Sequence, residues 1–313
     1  MLAWSPFAPA PRVNYLKQAA RVPNALKLPM NLKVFLLLPA LVLPGVLFAG
    51  EAPADKSAYT LFHRTPASQL RELSTDRPDL TESAYTVDAG WWQVELDISA
   101  YTHERDTHDG ADTTASSLSY GNMNVKVGLT PDIDLQTVFS VYSIDRENDR
   151  IAHTSDRASG FGDITSRLKI NLWGNDGGAT AFALMPYVKW PTNQNHLGNH
   201  SVEGGLIAPL AVSLPAGWGM GVMTEFDIVR NRLDDGYRLD WVNSITFSHE
   251  IAGNLGGYVE VFTLLTDGPD IASFDCGLTY GIGDHVQVDC GANIGITRAT
   301  EDYTIFTGLA FRF

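Results

Sequence analysis

Charged side chains recur at every second residue along several stretches of this chain: Glu95 and Asp97, Arg167 and Lys169, Glu225 and Asp227, Arg238 and Asp240. Lys126, Asp163, Asp275 and Asp289 stand singly in stretches of the same kind. In an extended strand successive side chains point to opposite faces, so charges two residues apart share one face. Such a face passes or binds polar solutes where it is hydrated, and locks into ion pairs where it is dry. Both readings stay open for these residues: a polar pathway, or a packed ion-pair network filling a narrow enclosure.

The most distinctive polar run is Ser74-Thr75-Asp76-Arg77-Pro78-Asp79-Leu80-Thr81-Glu82-Ser83. Pro78 cannot donate a backbone bond and biases Arg77 to an extended conformation, while Ser, Thr and Asp favour turns. The run reads either as a capped linker into the first strand or as a plug whose Asp76, Arg77, Asp79 and Glu82 pair with charges of a surrounding wall. Histidines are weaker candidates. His103, His108, His153, His196 and His200 fall in three separate loops without the spacing of a helix-borne zinc pair, so neither metal nor cofactor is expected. His200 and Ser201 place a base beside a hydroxyl, but neighbours on a strand point apart, so no catalytic residue is assigned and no enzyme is expected. Cys276 and Cys290 share one parity across the Gly283-Asp284 turn and are read as directly opposite. That permits a cross-strand disulfide in an oxidising compartment; two small residues on an apolar face is the other reading.

What must position these residues is a set of strands. From Ala89 onward Trp92, Val94, Leu96, Ile98 and Ala100 form one face and Gln93, Glu95, Asp97 and Ser99 the other, which is the half-buried strand signal. The alternation recurs to Phe313, although the phase of Leu255 to Leu265 is ambiguous. Tight turns near Pro131, Asn175, Ala216, Gly253 and Gly283 alternate with mostly longer, charged connections at 102–113, 145–159, 191–199, 231–236, 266–270 and 298–301. Trp92, Trp173, Trp190, Trp218 and Trp241 lie toward strand ends, where a membrane interface favours them. The expected fold class is all-β, an antiparallel transmembrane β-barrel of about twelve strands of the outer-membrane type. A mean hydropathy of −0.06 fits it, because lipid-facing and lumen-facing residues alternate.

The address is consistent. Val34 to Phe48 is apolar, follows Lys33 and precedes Ala49-Gly50, as in a secretory signal peptide. The expected organisation is an over-long leader at 1–29, a signal peptide at 30–49, a periplasmic segment at 50–88 and the barrel at 89–313. Loss of Arg12, Lys17, Arg21, Lys27 and Lys33 would deepen the net charge of −14 by five, which argues against a nucleic-acid partner. The expected partners are outer-membrane lipid and lipopolysaccharide, a small-molecule solute, and the barrel-assembly machinery through the terminal strand ending at Phe313.

With these residues in view, the chain resembles the bacterial outer-membrane "transporter" family labelled for a MetA-pathway of phenol degradation. The resemblance rests on S-T-D-R-P-D-L-T-E-S from Ser74, T-V-D-A-G-W-W-Q-V-E from Thr86, L-K-I-N-L-W-G-N-D-G-G from Leu168, F-A-L-M-P-Y-V-K-W-P-T from Phe182, V-E-G-G-L-I-A-P-L from Val202 and G-L-A-F-R-F at the end. It implies a barrel in the outer membrane of a Gram-negative bacterium that admits small aromatic or other hydrophobic compounds, with no catalytic residues to carry over. The expected function is a passive channel for small molecules. A lipid-directed enzyme barrel and a structural barrel with a filled lumen are the alternatives.

Overall fold

A computed structural model describes residues 55–108, 110–195, 197–198, 200–231 and 236–313. The expected leader and signal peptide lie outside the described residues. Alternating sequence from Trp92 onward folds into β1 (Trp92–Asp106), β2 (Thr113–Thr130), β3 (Ile133–Asp149), β4 (Thr154–Gly160), β5 (Ile164–Trp173), β6 (Thr180–Trp190) and β7 (Glu203–Ser213). It continues through β8 (Trp218–Arg230), β9 (Tyr237–Ala252), β10 (Leu255–Leu265), β11 (Ile271–Ile282), β12 (Val286–Gly295) and β13 (Tyr303–Arg312). Apart from β4 and β5, neighbours along the chain pair antiparallel, and β13 pairs β1 from Gln93↔Arg312 to His103↔Tyr303, which closes the barrel. β4 and β5 both pair with β3, its far and near parts respectively, and so share one place in the wall. The barrel therefore has 12 wall positions. Closure matters because an open strand edge in lipid would leave backbone N–H and C=O groups unpaired.

The two ends differ. Short connections at Pro131-Asp132, 174–179, 214–217, Gly253-Asn254 and 283–285 lie at the end where β1 begins and β13 finishes. At the opposite end the strands run further than the alternation alone suggested: the connections expected at 102–113 and 145–159 shrink to 107–112 and 150–153. The charged residues there are still extended and paired, for example Arg105↔Thr114 and Arg146↔Arg157.

Strict alternation breaks along a line crossing β1, β2 and β3. In β1 the register against β13 shifts between Asp97 and Ser99, and Ala100, expected on the outer face, is buried. In β2 both Ser119 and Asn122 are buried, and Gly121 between them has φ +62°. In β3 Val138 and Ser143 are buried while Val141 and Tyr142 are both exposed. One extra residue per strand exchanges the two faces and bends the strand, so a row of such residues bends the wall. Gly121 is required twice over: its backbone is left-handed, and a Cβ there would lie 3.1 Å from Val141 Cγ2. Gly121→Ala is expected to destabilise the barrel by about 1–3 kcal/mol, read by urea unfolding in lipid vesicles.

The cysteines correct an expectation. The connection at 283–285 pairs Ile282 with Val286, so Leu278 faces Cys290 and Cys276 faces Ala292. The two thiols are one rung out of register, and both are free. A three-residue connection centred on Asp284 pairs residues whose numbers sum two higher than those of the cysteines, so the disulfide reading fails on register alone.

Candidate functional site

The inner face is built by the parity that the bend leaves intact. Glu95, Asp97, Lys126, Asp163, Arg167, Lys169, Glu225, Asp227, Asp240, Asp275 and Asp289 are all buried there, and Arg238 is half-buried at the mouth of β9. These side chains lie far apart around the circumference. What brings several of them together is the segment ahead of β1: residues 55–72 lie at the short-turn end, many of them exposed, and 74–88 run inside the wall with polar groups facing several strands.

Asp76 accepts from Lys169 Nζ at 2.6 Å and Lys126 Nζ at 2.5 Å, and Lys126 also pairs with Glu95. Arg77 holds Asp289 with Nε at 3.0 Å and Nη2 at 2.7 Å, and Asp97 with Nη1 at 2.5 Å. A carboxylate gripped by two guanidinium nitrogens is a directional, charge-assisted contact. A Cβ at Gly308 on β13 would overlap this guanidinium, so a bare backbone there makes the room. Asp79 is half-buried. Thr81 Oγ1 meets Ser244 and donates to Glu260, which also accepts from Leu80 N at 2.8 Å. Glu82 takes Arg167 Nη1 at 2.6 Å. One short polar run thereby bridges β1, β2, β5, β9, β10 and β12. Toward the turn end, Asp88 gathers Lys56 and Arg71, and Lys56 reaches Asp176 at 2.6 Å.

The remaining candidates pair among themselves near the long-loop end. Lys189 binds Glu203 at 2.6 Å and lies 3.7 Å from Asp163, which accepts from Asn193. Arg238 forks onto Asp240, Tyr187 donates to Asp227 beside Glu225, and Ser273 donates to Asp275.

A second feature escaped sequence reasoning. Met185, Ile207, Met223, Val242, Phe262, Leu264 and Ile271 form one buried apolar cluster joined by Ala299 of the last long loop, with Leu80 of the internal segment packed against it. These residues sit at inward positions on β6 to β11, so a stripe of the inner wall is apolar. Its signal was the unclear phase of Leu255 to Leu265. Val259 and Val261 point out while Tyr258, Phe262 and Leu264 point in, so both faces of β10 are hydrophobic.

The histidines do not assemble. His103 stacks on Tyr303 with centroids 5.4 Å apart, while His108, His153 and His200 lie in loops and His196 is outside the described residues. Among the described residues no three His, Cys, Asp or Glu side chains are placed to hold a metal ion. His200 and Ser201 lie in the connection before β7 rather than on a strand.

Removing Arg77 alone would leave Asp97 and Asp289 buried without their cation. Arg77→Met is expected to destabilise by about 3–5 kcal/mol in vesicle unfolding, and adding Asp97→Asn and Asp289→Asn to recover most of it.

The chain belongs to the family described as "Putative MetA-pathway of phenol degradation", whose model matches residues 75–313. The match begins inside the internal polar run. No curated protein matches the sequence. Among solved structures, an outer membrane channel of Pseudomonas putida F1 is similar, with 15% identity, 71% of this chain and 93% of that one covered, and a TM-score of 0.49. The translocator domain of the autotransporter NalP from Neisseria meningitidis has 9% identity, 71% and 88% coverage and a TM-score of 0.47. The toluene transporter TbuX of Ralstonia pickettii has 7% identity, 71% and 88% coverage and a TM-score of 0.43.

Proposed function

We propose that this member of the phenol-degradation family is an outer-membrane β-barrel that passes small apolar or aromatic molecules passively, and that residues 55–88 act as its plug. The observation that carries the reading is the apolar stripe inside the wall. A barrel that only filled its lumen with ion pairs has no need of inward Met185, Ile207, Met223, Val242 and Phe262, whereas an apolar solute needs a surface that does not hold it by hydrogen bonds. The family label, with its reference to phenol degradation, supports the same class of solute. The mechanism is diffusion along a hydrophobic track bordered by charged groups, with no covalent step and no catalytic residue.

The membrane location rests on the outer face. Leu206, Phe226, Ile245, Val259, Val261 and Phe274 are exposed around β7 to β11 although large and apolar, and Trp92, Trp173 and Trp218 are exposed near the short-turn end. Water would penalise such a belt, and a bilayer core flanked by its interfaces accommodates it. The short-turn end then faces the periplasm and the long hairpins face outward. Barrel-assembly machinery meeting the terminal strand belongs to the same reading.

The closing experiment is planar-bilayer conductance of the refolded chain beside a form lacking Glu51–Ser83. A plug predicts higher conductance after deletion, and equal conductance rejects it. Silence from both forms, together with no uptake of a small aromatic into protein-bearing vesicles, rejects the channel. The belt has its own test: Val259→Arg is expected to lose about 2–4 kcal/mol of stability in vesicles, the penalty for a charge facing mid-bilayer lipid.

A further inference from the structure

The hairpin of β3 and β4 carries a charge arrangement that the ion pairs of the lumen do not absorb. Arg146 on β3 and Arg157 on β4 are direct cross-strand partners. Like charges placed opposite one another repel, and a protein tolerates the arrangement readily when an anion completes it. Both arginines are exposed, and among the described residues neither side chain makes an ion pair or hydrogen bond. The contrast with nearby arginines is direct: Arg105 lies 3.6 Å and Arg150 3.8 Å from Asp112.

The pair faces outward. Beyond the bend, Ser143 is buried and Asp145 takes a hydrogen bond from Ser117, so odd-numbered residues of β3 face the axis. Arg146 follows Ile144 and exposed Tyr142 on the outer side, and Asn148, bonded to Ser155 Oγ, lies one rung further out. The intervening rung is acidic, Glu147↔Asp156, and by alternation it faces the other way. The hairpin is thus basic toward the outside and acidic toward the axis, in a chain whose net charge is −14.

Height along the barrel identifies the anion. An apolar belt about 25 Å tall takes roughly ten residues of a tilted strand. Counted from Ile133 at the short-turn end of β3, that belt finishes near Ser143, and the Tyr120↔Tyr142 pair marks the interface. Arg146 and Arg157 stand just beyond it, at the level of the headgroups of the outer leaflet. We infer that Arg146 and Arg157 form a binding site for the phosphate of an anionic glycolipid headgroup, lipid A in the outer leaflet, held between two guanidinium forks. Cross-strand partners are about 5 Å apart at Cα, which lets both reach one phosphate, and planar guanidinium suits its oxygens. The inference rests on the membrane reading given above.

The test compares the full chain with R146Q/R157Q and R105Q, each refolded into phosphatidylcholine vesicles. Energy transfer from tryptophan to labelled lipid A, or to lipid A stripped of its phosphates, is then measured. The expected result is a preference of the parent for phosphorylated lipid A, weakened about thirtyfold in the double variant, as for two basic groups at an anionic surface. R105Q, whose charge is already neutralised by Asp112, should behave as the parent. Parent-like affinity of the double variant, equal binding of stripped lipid A, or an equal loss in R105Q would each overturn the site. Displacement by equimolar inorganic phosphate would overturn the lipid assignment. Protease protection in plain phosphatidylcholine vesicles separates the two layers of argument. If the parent fails to insert, the membrane reading falls with this one; insertion without phosphate preference removes only this inference.

Discussion

Charges enclosed in a closed wall cannot rely on bulk water, so each must meet a counter-charge or a hydrogen-bond donor within reach. In this barrel the wall provides that for some charges, such as Lys189 with Glu203 and Arg238 with Asp240, but not for all. Asp97 and Asp289 meet through Arg77, and Lys126 and Lys169 meet through Asp76; in both cases the completing group comes from the segment ahead of the first strand. The inner face and the internal segment are thus two halves of one electrostatic arrangement. Neither is satisfied without the other, and the path of residues 74–83 follows from where the wall charges stand.

The same constraint divides the lumen. Where the segment's acids and Arg77 meet β1, β2, β5 and β12, the interior is a buried ionic lattice. Across from it, on β6 to β11, an apolar cluster is set among the inward polar positions, and Leu80 is the segment's contribution to that side. Glu260 and Thr81 lie along the border between the two.

Beyond the belt the strands continue past the bilayer as hairpins, and the face-exchanging row through Ser99, Gly121 and Val141 decides which of their side chains look outward. Without that exchange, Arg146 and Arg157 would point toward the axis and Glu147 and Asp156 outward. A one-residue irregularity in each of β1, β2 and β3 therefore sets which charges of this hairpin face outward.

Much was legible in the sequence, because alternation is a local property. Period-two writing, short turns alternating with long connections and an apolar final strand suffice for a closed antiparallel barrel and its sidedness, and parity alone puts Glu95, Lys126, Arg167 and Asp289 on one face. The run from Ser74 to Ser83 stands out by composition, yet its partners lie up to 212 residues away, and no local pattern encodes such a separation. Pairing register was equally hidden: Cys276 and Cys290 share a face, but their missed alignment depends on how the 283–285 turn closes. The inward apolar stripe looked like phase noise, since a strand apolar on both sides has no period to read. Sequence by itself determined the strands, their faces and the closed sheet, all of which follow from neighbours along the chain. Tertiary structure decided which charges meet, where alternation inverts and which wall turns apolar, because those depend on contacts that exist only once the barrel has closed around its own N-terminal segment.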